Sequence, residues 1–136
     1  MKSDKILRDF GNHIGVKNMS FDHKRTCSLM VDKENIIIIN DIDDKSIMLS
    51  CIIGPLQQAC LSDSKTAMEL LSMNMLFAAE NGPYVGYEPQ GKSLILSIAN
   101  EQQEMTPQTM ESQISYLLQN KSHIRNVLAE RDIVIE

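Results

Sequence analysis

Between Cys27 and Ile53 the apolar residues of this chain fall into β-type runs, and this block constrains the fold more than any other feature. Cys27, Leu29 and Val31 alternate with Ser28 and Met30, the polar turn Lys33-Glu34-Asn35 follows, and the β-branched run Ile36 to Ile39 comes next. Such a pattern reads as a hairpin. A polar stretch from Asn40 to Ser46 leads to a third strand, Ile47 to Ile53, which Gly54-Pro55 is expected to end because proline cannot donate to a ladder. Three antiparallel strands are therefore expected in the first half of the chain.

Helical spacing flanks this block. Ile6, Leu7, Phe10 and Ile14 make one stripe of a short amphipathic helix from Ser3 to Ile14, with Gly15 as its stop. Ala67, Leu70, Leu71, Asn74, Met75, Phe77 and Ala78 keep a helical period between Ser64 and Glu80, and Asn81-Gly82-Pro83 stops it. Met68, Met73 and Met75 widen the apolar arc of this second helix beyond what a one-sided surface helix needs, so it is expected to be covered on more than one side. A second hairpin follows: Tyr84 to Glu88, the turn Pro89-Gln90-Gly91-Lys92, and Ser93 to Ala99. Thr106 is an N-cap with Pro107 at the first helical position, and Met110, Ile114, Leu117, Leu118, Ile124, Val127 and Leu128 form the stripe of a long third helix. The expected architecture is α+β, α-β-β-β-α-β-β-α, one twisted antiparallel sheet flanked by helices in a single domain over residues 1–136. Asp132 to Glu136 is a β-prone end to which the pattern assigns no partner.

Composition removes several function classes. Thirteen basic and eighteen acidic residues give a net charge of −5, so the chain lacks the basic field that supplies most affinity for nucleic acid or anionic membranes. Its apolar runs, such as Ile36 to Ile39, are far short of a membrane span. No apolar core follows the basic start Met-Lys-Ser-Asp-Lys, so no cleaved export signal is expected. Cys27, Cys51 and Cys60 are odd in number and none forms a Cys-x-x-Cys pair, which argues for a reducing cytoplasm and against a disulfide framework or zinc knuckle.

Little points to chemistry. There is no glycine-rich phosphate loop, no Gly-x-Ser-x-Gly and no His-Glu-x-x-His, so neither catalytic residues nor a cofactor or metal is assigned. His23 and Cys27 could act as base and nucleophile, but a thiol in an alternating strand behaves as a small hydrophobe. Asp41, Asp43 and Asp44 lack the glycine and glutamate of a calcium loop and read as a solvated turn. The His23-Lys24-Arg25 cluster reads as a basic turn, and His13 and His123 as surface or cap residues.

Four segments carry a resemblance: SFDHKRTCSLMVD at 20–32, AMELLSMNMLF at 67–77, FAAENGPYVGYE at 77–88 and GKSLILSI at 91–98. In their order and spacing they resemble the class I type III secretion chaperones of the CesT (Tir chaperone) family, over nearly the whole chain. The resemblance implies a bacterial cytoplasmic homodimer, not an enzyme. Such a protein binds the N-terminal segments of one or more secreted effectors, keeps them non-globular and helps deliver them to the secretion ATPase. It also implies that the second helix and the strand after it form the dimer contact, which falls here on Met68, Leu71, Met75, Tyr84 and Tyr87. The effector would add short strands and press apolar side chains into grooves of the first helix and first strands, here Leu7, Phe10, Ile14, Leu29, Val31, Ile36, Ile38 and Met48. Two other readings compete: a cytoplasmic regulator that binds a folded partner, and a small enzyme using Cys27.

Overall fold

The computed structural model describes residues 2–56, 64–133 and 135. Helix α1 (Lys2–Ile14) is followed by β1 (Thr26–Val31), β2 (Asn35–Ile42) and β3 (Ser46–Pro55), then α2 (Ser64–Ala79), β4 (Tyr84–Glu88), β5 (Ser93–Glu101), a 3-10 turn at Gln102–Glu104 and α3 (Pro107–Glu130). The order matches the expected one. All strand pairs are antiparallel, and the five strands lie in the order β1-β2-β3-β5-β4.

The strands run longer than their apolar cores suggest. Asp32 and Lys33 (φ +55° and +63°) and Asp43 and Asp44 (both +52°) occupy the left-handed region in pairs. Two successive residues of this kind make the tight turn whose twist suits a hairpin, and aspartate adopts that region more readily than most residues. The first turn is therefore at Asp32-Lys33 instead of Lys33 to Asn35, and β2 continues through Asn40 and Asp41 to Ile42. Gly54-Pro55 forms the last two residues of β3 instead of following it. A register shift between Ile52 and Gly54, with Gly54 at φ +150°, carries the strand to Pro55, which pairs with Ser93. At a bulged strand end the missing proline donor costs no ladder bond.

The three α-helices among the described residues end in the same device. The residues at the left-handed exit are Gly15, Asn81 and Asp132. In each case the following amide returns to a carbonyl five residues back: Val16 to Gly11 (2.8 Å), Gly82 to Phe77 (2.7 Å) and Ile133 to Leu128 (2.9 Å). A Cβ on Gly11 would lie 2.7 Å from the Val16 carbonyl oxygen, so this exit requires glycine there. At the start of α3, Thr106 Oγ1 accepts from the Thr109 amide at 3.1 Å, the expected N-cap.

The core lies on one face of the sheet. Ile37, Ile39, Ile47, Leu49, Cys51, Ile53, Leu94 and Leu96 pack beneath Leu7 and Phe10 of α1 and Met110, Leu117, Ile124 and Leu128 of α3. Strand alternation sends Ile36, Ile38, Met48, Ile52 and Ile95 to the opposite face, which is free of helices among the described residues. The end of the chain finds a partner, since Ile135 bridges Leu56 in antiparallel fashion. Among the described residues no helix is long and apolar enough to cross a membrane.

Candidate functional site

Three elements meet at the β1 end of the sheet and leave an open apolar groove of about 440 Å³. Phe10 and Ile14 of α1 and Val16 just after it form one wall, Leu29, Met30 and Val31 the sheet wall, and Ile114, Ser115 and Leu118 the α3 wall. Two exposed carboxylates, Asp32 and Glu111, complete the lining. Glu111 Oε2 lies 2.5 Å from His13 Nε2, which ties α1 to α3 beside the groove.

The groove runs beside an unpaired strand edge. Thr26 turns its amide and carbonyl away from β2, to Asp22. In an antiparallel ladder the outward groups recur at every second residue, so Ser28 and Met30 also present theirs outward. The other sheet edge is capped near its start. Asn74 of α2 donates from Nδ2 to the Val85 carbonyl at 3.0 Å and accepts the Val85 amide on Oδ1 at 2.7 Å, so one side-chain amide stands in for a neighbouring strand at Val85 of β4.

Two motifs that read separately as a basic turn and a solvated turn converge to fix α1. Arg25 Nε donates to Asp41 Oδ2 at 2.9 Å, Nη1 to Asp4 Oδ1 at 2.9 Å and Nη2 to Ser3 Oγ at 2.9 Å, while its guanidinium lies 4.7 Å from the Phe21 ring centre. Ser3 Oγ is also 3.0 Å from Asp41 Oδ2 and 3.1 Å from Asp44 Oδ1, and Gln102 Nε2 donates to Asp44 at 2.8 Å. Asp41 is thus a buried member of a hydrogen-bonded cluster, contrary to the solvated turn expected of it. Hydrogen bonds from Arg25 hold the Asp4 carboxyl below its ordinary value, and those from Gln102 and Ser3 do the same for Asp44. Negative charge at the start of α1 also suits the helix dipole.

The residues expected to form cargo grooves separate into three groups. Phe10, Ile14, Leu29 and Val31 do line one groove, although Phe10 is 1% exposed and belongs mostly to the core. Leu7 is completely buried beneath α1 and forms no surface. Ile36, Ile38 and Met48 sit on the helix-free face, because in a strand they alternate with the core residues Ile37, Ile39, Ile47 and Leu49. They cannot share a wall with Leu29 and Val31. Sequence reasoning places Ile114 and Leu118 in a helical stripe without showing that the stripe reaches the groove, and it misses Val16, Met30, Asp32, Glu111 and Ser115.

On the far side of the molecule, α2 buries only Thr66, Met73 and Phe77 against the protomer. Met68, Leu71, Met75 and Tyr84 are 64–74% exposed, and Tyr87 is 36% exposed. Leu76, not anticipated, is 72% exposed and extends the same patch; its position eight residues after Met68 was the available signal. Between α2 and β4 lies a smaller groove of about 250 Å³, lined by Leu70, Leu71, Tyr87 and Leu94 among others.

Burial pushes the Cys27 thiol up, with Asp22 adding in the same direction, opposite to what a nucleophile requires. Cys51 is buried and its thiol is likewise raised by desolvation, while Cys60 lies outside the described residues. Among the described residues no three His, Cys, Asp or Glu side chains are grouped to hold a metal ion.

Comparison with known proteins gives a consistent result. The chain is 29% identical to the Tir chaperone of Escherichia coli O157:H7 over 135 residues, which covers 99% of this chain and 85% of that one. It is 27% identical to the Tir chaperone of Citrobacter freundii over the same span. Among solved structures, the HopA1-SchA chaperone-effector complex contains a chain with a TM-score of 0.77 at 16% identity, covering 92% of this chain and 94% of that one. The ExsC-ExsE complex contains another with a TM-score of 0.78 at 16% identity, covering 93% of each. These two share the fold. The sequence profile of one family matches residues 5–125, and with it the chain belongs to the Tir chaperone protein (CesT) family.

Proposed function

We propose that this protein is a type III secretion chaperone of the bacterial cytoplasm. As a homodimer it binds the N-terminal segments of one or more secreted effectors, keeps them non-globular and promotes their delivery to the secretion ATPase. The observation that carries this reading is the free main-chain edge of β1 at Ser28 and Met30, running beside the groove of Phe10, Ile14, Leu29 and Val31. An edge accepts the backbone of any extended segment, while apolar pockets select the side chains that go with it. The Tir chaperones among its relatives and the chaperone-effector complexes among its structural neighbours support the same reading.

Ordering a disordered segment costs several kcal/mol, so useful affinity needs a large wrapped surface. A dimer supplies it. The exposed face of Met68, Leu71, Met75 and Leu76, together with Tyr84 and Tyr87 of β4, is the surface that a second copy would cover in an isologous contact. Ile36, Ile38 and Met48 offer a second apolar surface, on the helix-free face, for a segment that continues past the β1 edge. The role is binding, not catalysis.

The test is co-expression with candidate secreted effectors, capture of the complex and limited proteolysis. A stable complex with protection confined to an N-terminal effector segment is the expected result. Capture of a folded domain, with the N-terminal segment left cleavable, would refute the reading in favour of a regulator.

A further inference from the structure

Both charged side chains lining the groove are carboxylates, Asp32 and Glu111, and no lysine or arginine lines it. Asp32 forms no ion pair among the described residues. Asp32 also borders a neighbouring polar cleft that contains Lys121 and Arg125, whose heads are turned to neutral acceptors outside the groove: Lys121 Nζ donates to Asn35 Oδ1 at 2.7 Å and Arg125 Nη1 to the Ile53 carbonyl at 3.0 Å. Glu111 holds only His13, through one oxygen. The groove therefore joins an apolar floor to a margin whose two lining charges are both acidic, on a chain whose net charge is already −5.

We propose that Asp32 and Glu111 read a basic side chain, so that the groove selects extended segments in which a bulky apolar residue lies within two positions of lysine or arginine. This rests on the segment-binding reading above and names the class of segment. In a strand laid along β1, residues two apart share a face and are about 6.6 Å apart. One can then seat among the half-buried Ile14, Leu29 and Leu118 while the next on that face reaches the margin. Lysine and arginine suit this position, because their stems lie on apolar surface while the charged head stays wet beside the carboxylate. An acidic residue there meets like charge, which gives discrimination as well as attraction.

The test is to pan a displayed library of random peptides on the wild-type protein, on Asp32→Asn and on Asp32→Asn/Glu111→Gln. One enriched peptide is then titrated beside its Lys→Glu version. Asparagine keeps the positive φ of position 32 accessible, and the single variant leaves the Glu111–His13 contact intact. Wild type should enrich apolar sequences with a neighbouring basic residue, bind the Lys→Glu peptide more weakly, and lose about two- to fivefold in affinity per neutralised carboxylate. In the double variant the two peptides should bind alike. Enrichment of apolar sequences without basic neighbours, or a preference unchanged in the double variant, overturns this inference and leaves segment binding standing. Failure of wild type to enrich any apolar sequence overturns segment binding, and the inference with it.

Discussion

Phe10 and Ile14 are one helical turn apart on α1, yet they call for opposite experiments. Phe10 is almost wholly buried, so Phe10→Ala should cost about 3–5 kcal/mol of stability by leaving a cavity, read as a fall in the chemical-denaturation midpoint. Ile14 is half-buried at the groove mouth, so Ile14→Asp should keep the helical circular dichroism signal while weakening capture of a secreted segment. The periodicity of Ile6, Leu7, Phe10 and Ile14 showed that one side of α1 is apolar, but a stripe alone does not say where the sheet beneath it ends. The Arg25 cluster was illegible for a different reason. Its members Ser3, Asp4, Arg25, Asp41, Asp44 and Gln102 come from distant points in the chain, and each alone looks like a surface polar residue. Acid should expose this cluster. Asp4 and Asp44 titrate below the ordinary carboxylate value of 3.8 in the folded state, so the stability they contribute is fully present above that value and is lost as pH falls through the depressed values. Hydrogen exchange in α1 should accelerate over that acidic interval, and Asp44→Asn should shrink the change.

At the scale of elements, the alternation of β1, β2 and β3 and the long stripe of α3 were readable because each repeats its period several times. Their ends were less so. Gly54-Pro55 reads as a stop, but the bulge at Ile52 and Gly54 absorbs both residues into β3. The aspartates after Val31 and Ile42 read as generic polarity, whereas the backbone uses their tolerance of positive φ to make two tight turns. Strand order was hidden altogether, since β5 inserts between β3 and β4 through contacts with no local signature. Helix α2 shows how a period can be right and its meaning incomplete. The broad methionine arc was real, but only Thr66, Met73 and Phe77 are covered within the protomer. Met75→Glu should therefore leave the monomer fold intact and shift the proposed dimer towards monomer in light scattering, since a charge would be desolvated at the proposed contact. Asn74→Ala makes a separate prediction: the Val85 amide loses its acceptor and should exchange faster with solvent, with little change at the other strands.

For the molecule as a whole, the midpoint of thermal unfolding should rise with protein concentration, because association stabilises only the folded chain. A concentration-independent midpoint together with a monomer in light scattering would sink the dimer. Residue patterning gave the α+β class because every helix and strand buries a face in one shared core, a global property that each element's period reports locally. Which surface meets which partner is not encoded that way. Ile36, Ile38 and Met48 are apolar for the same compositional reason as Ile37, Ile39 and Leu49, and only the helices lying on one side of the sheet distinguish the two sets.

The amide of Asn74 carries a consequence for valency. A sheet open at both sides can be extended without limit, each added strand offering a fresh edge to the next, and fibres grow in that way. With Val85 capped, an incoming strand meets an interrupted ladder on the β4 side and the outward groups of Ser28 and Met30 on the β1 side. Growth of this sheet is thereby polar: strands are expected to add beyond β1, and two copies are not expected to join edge to edge through β4.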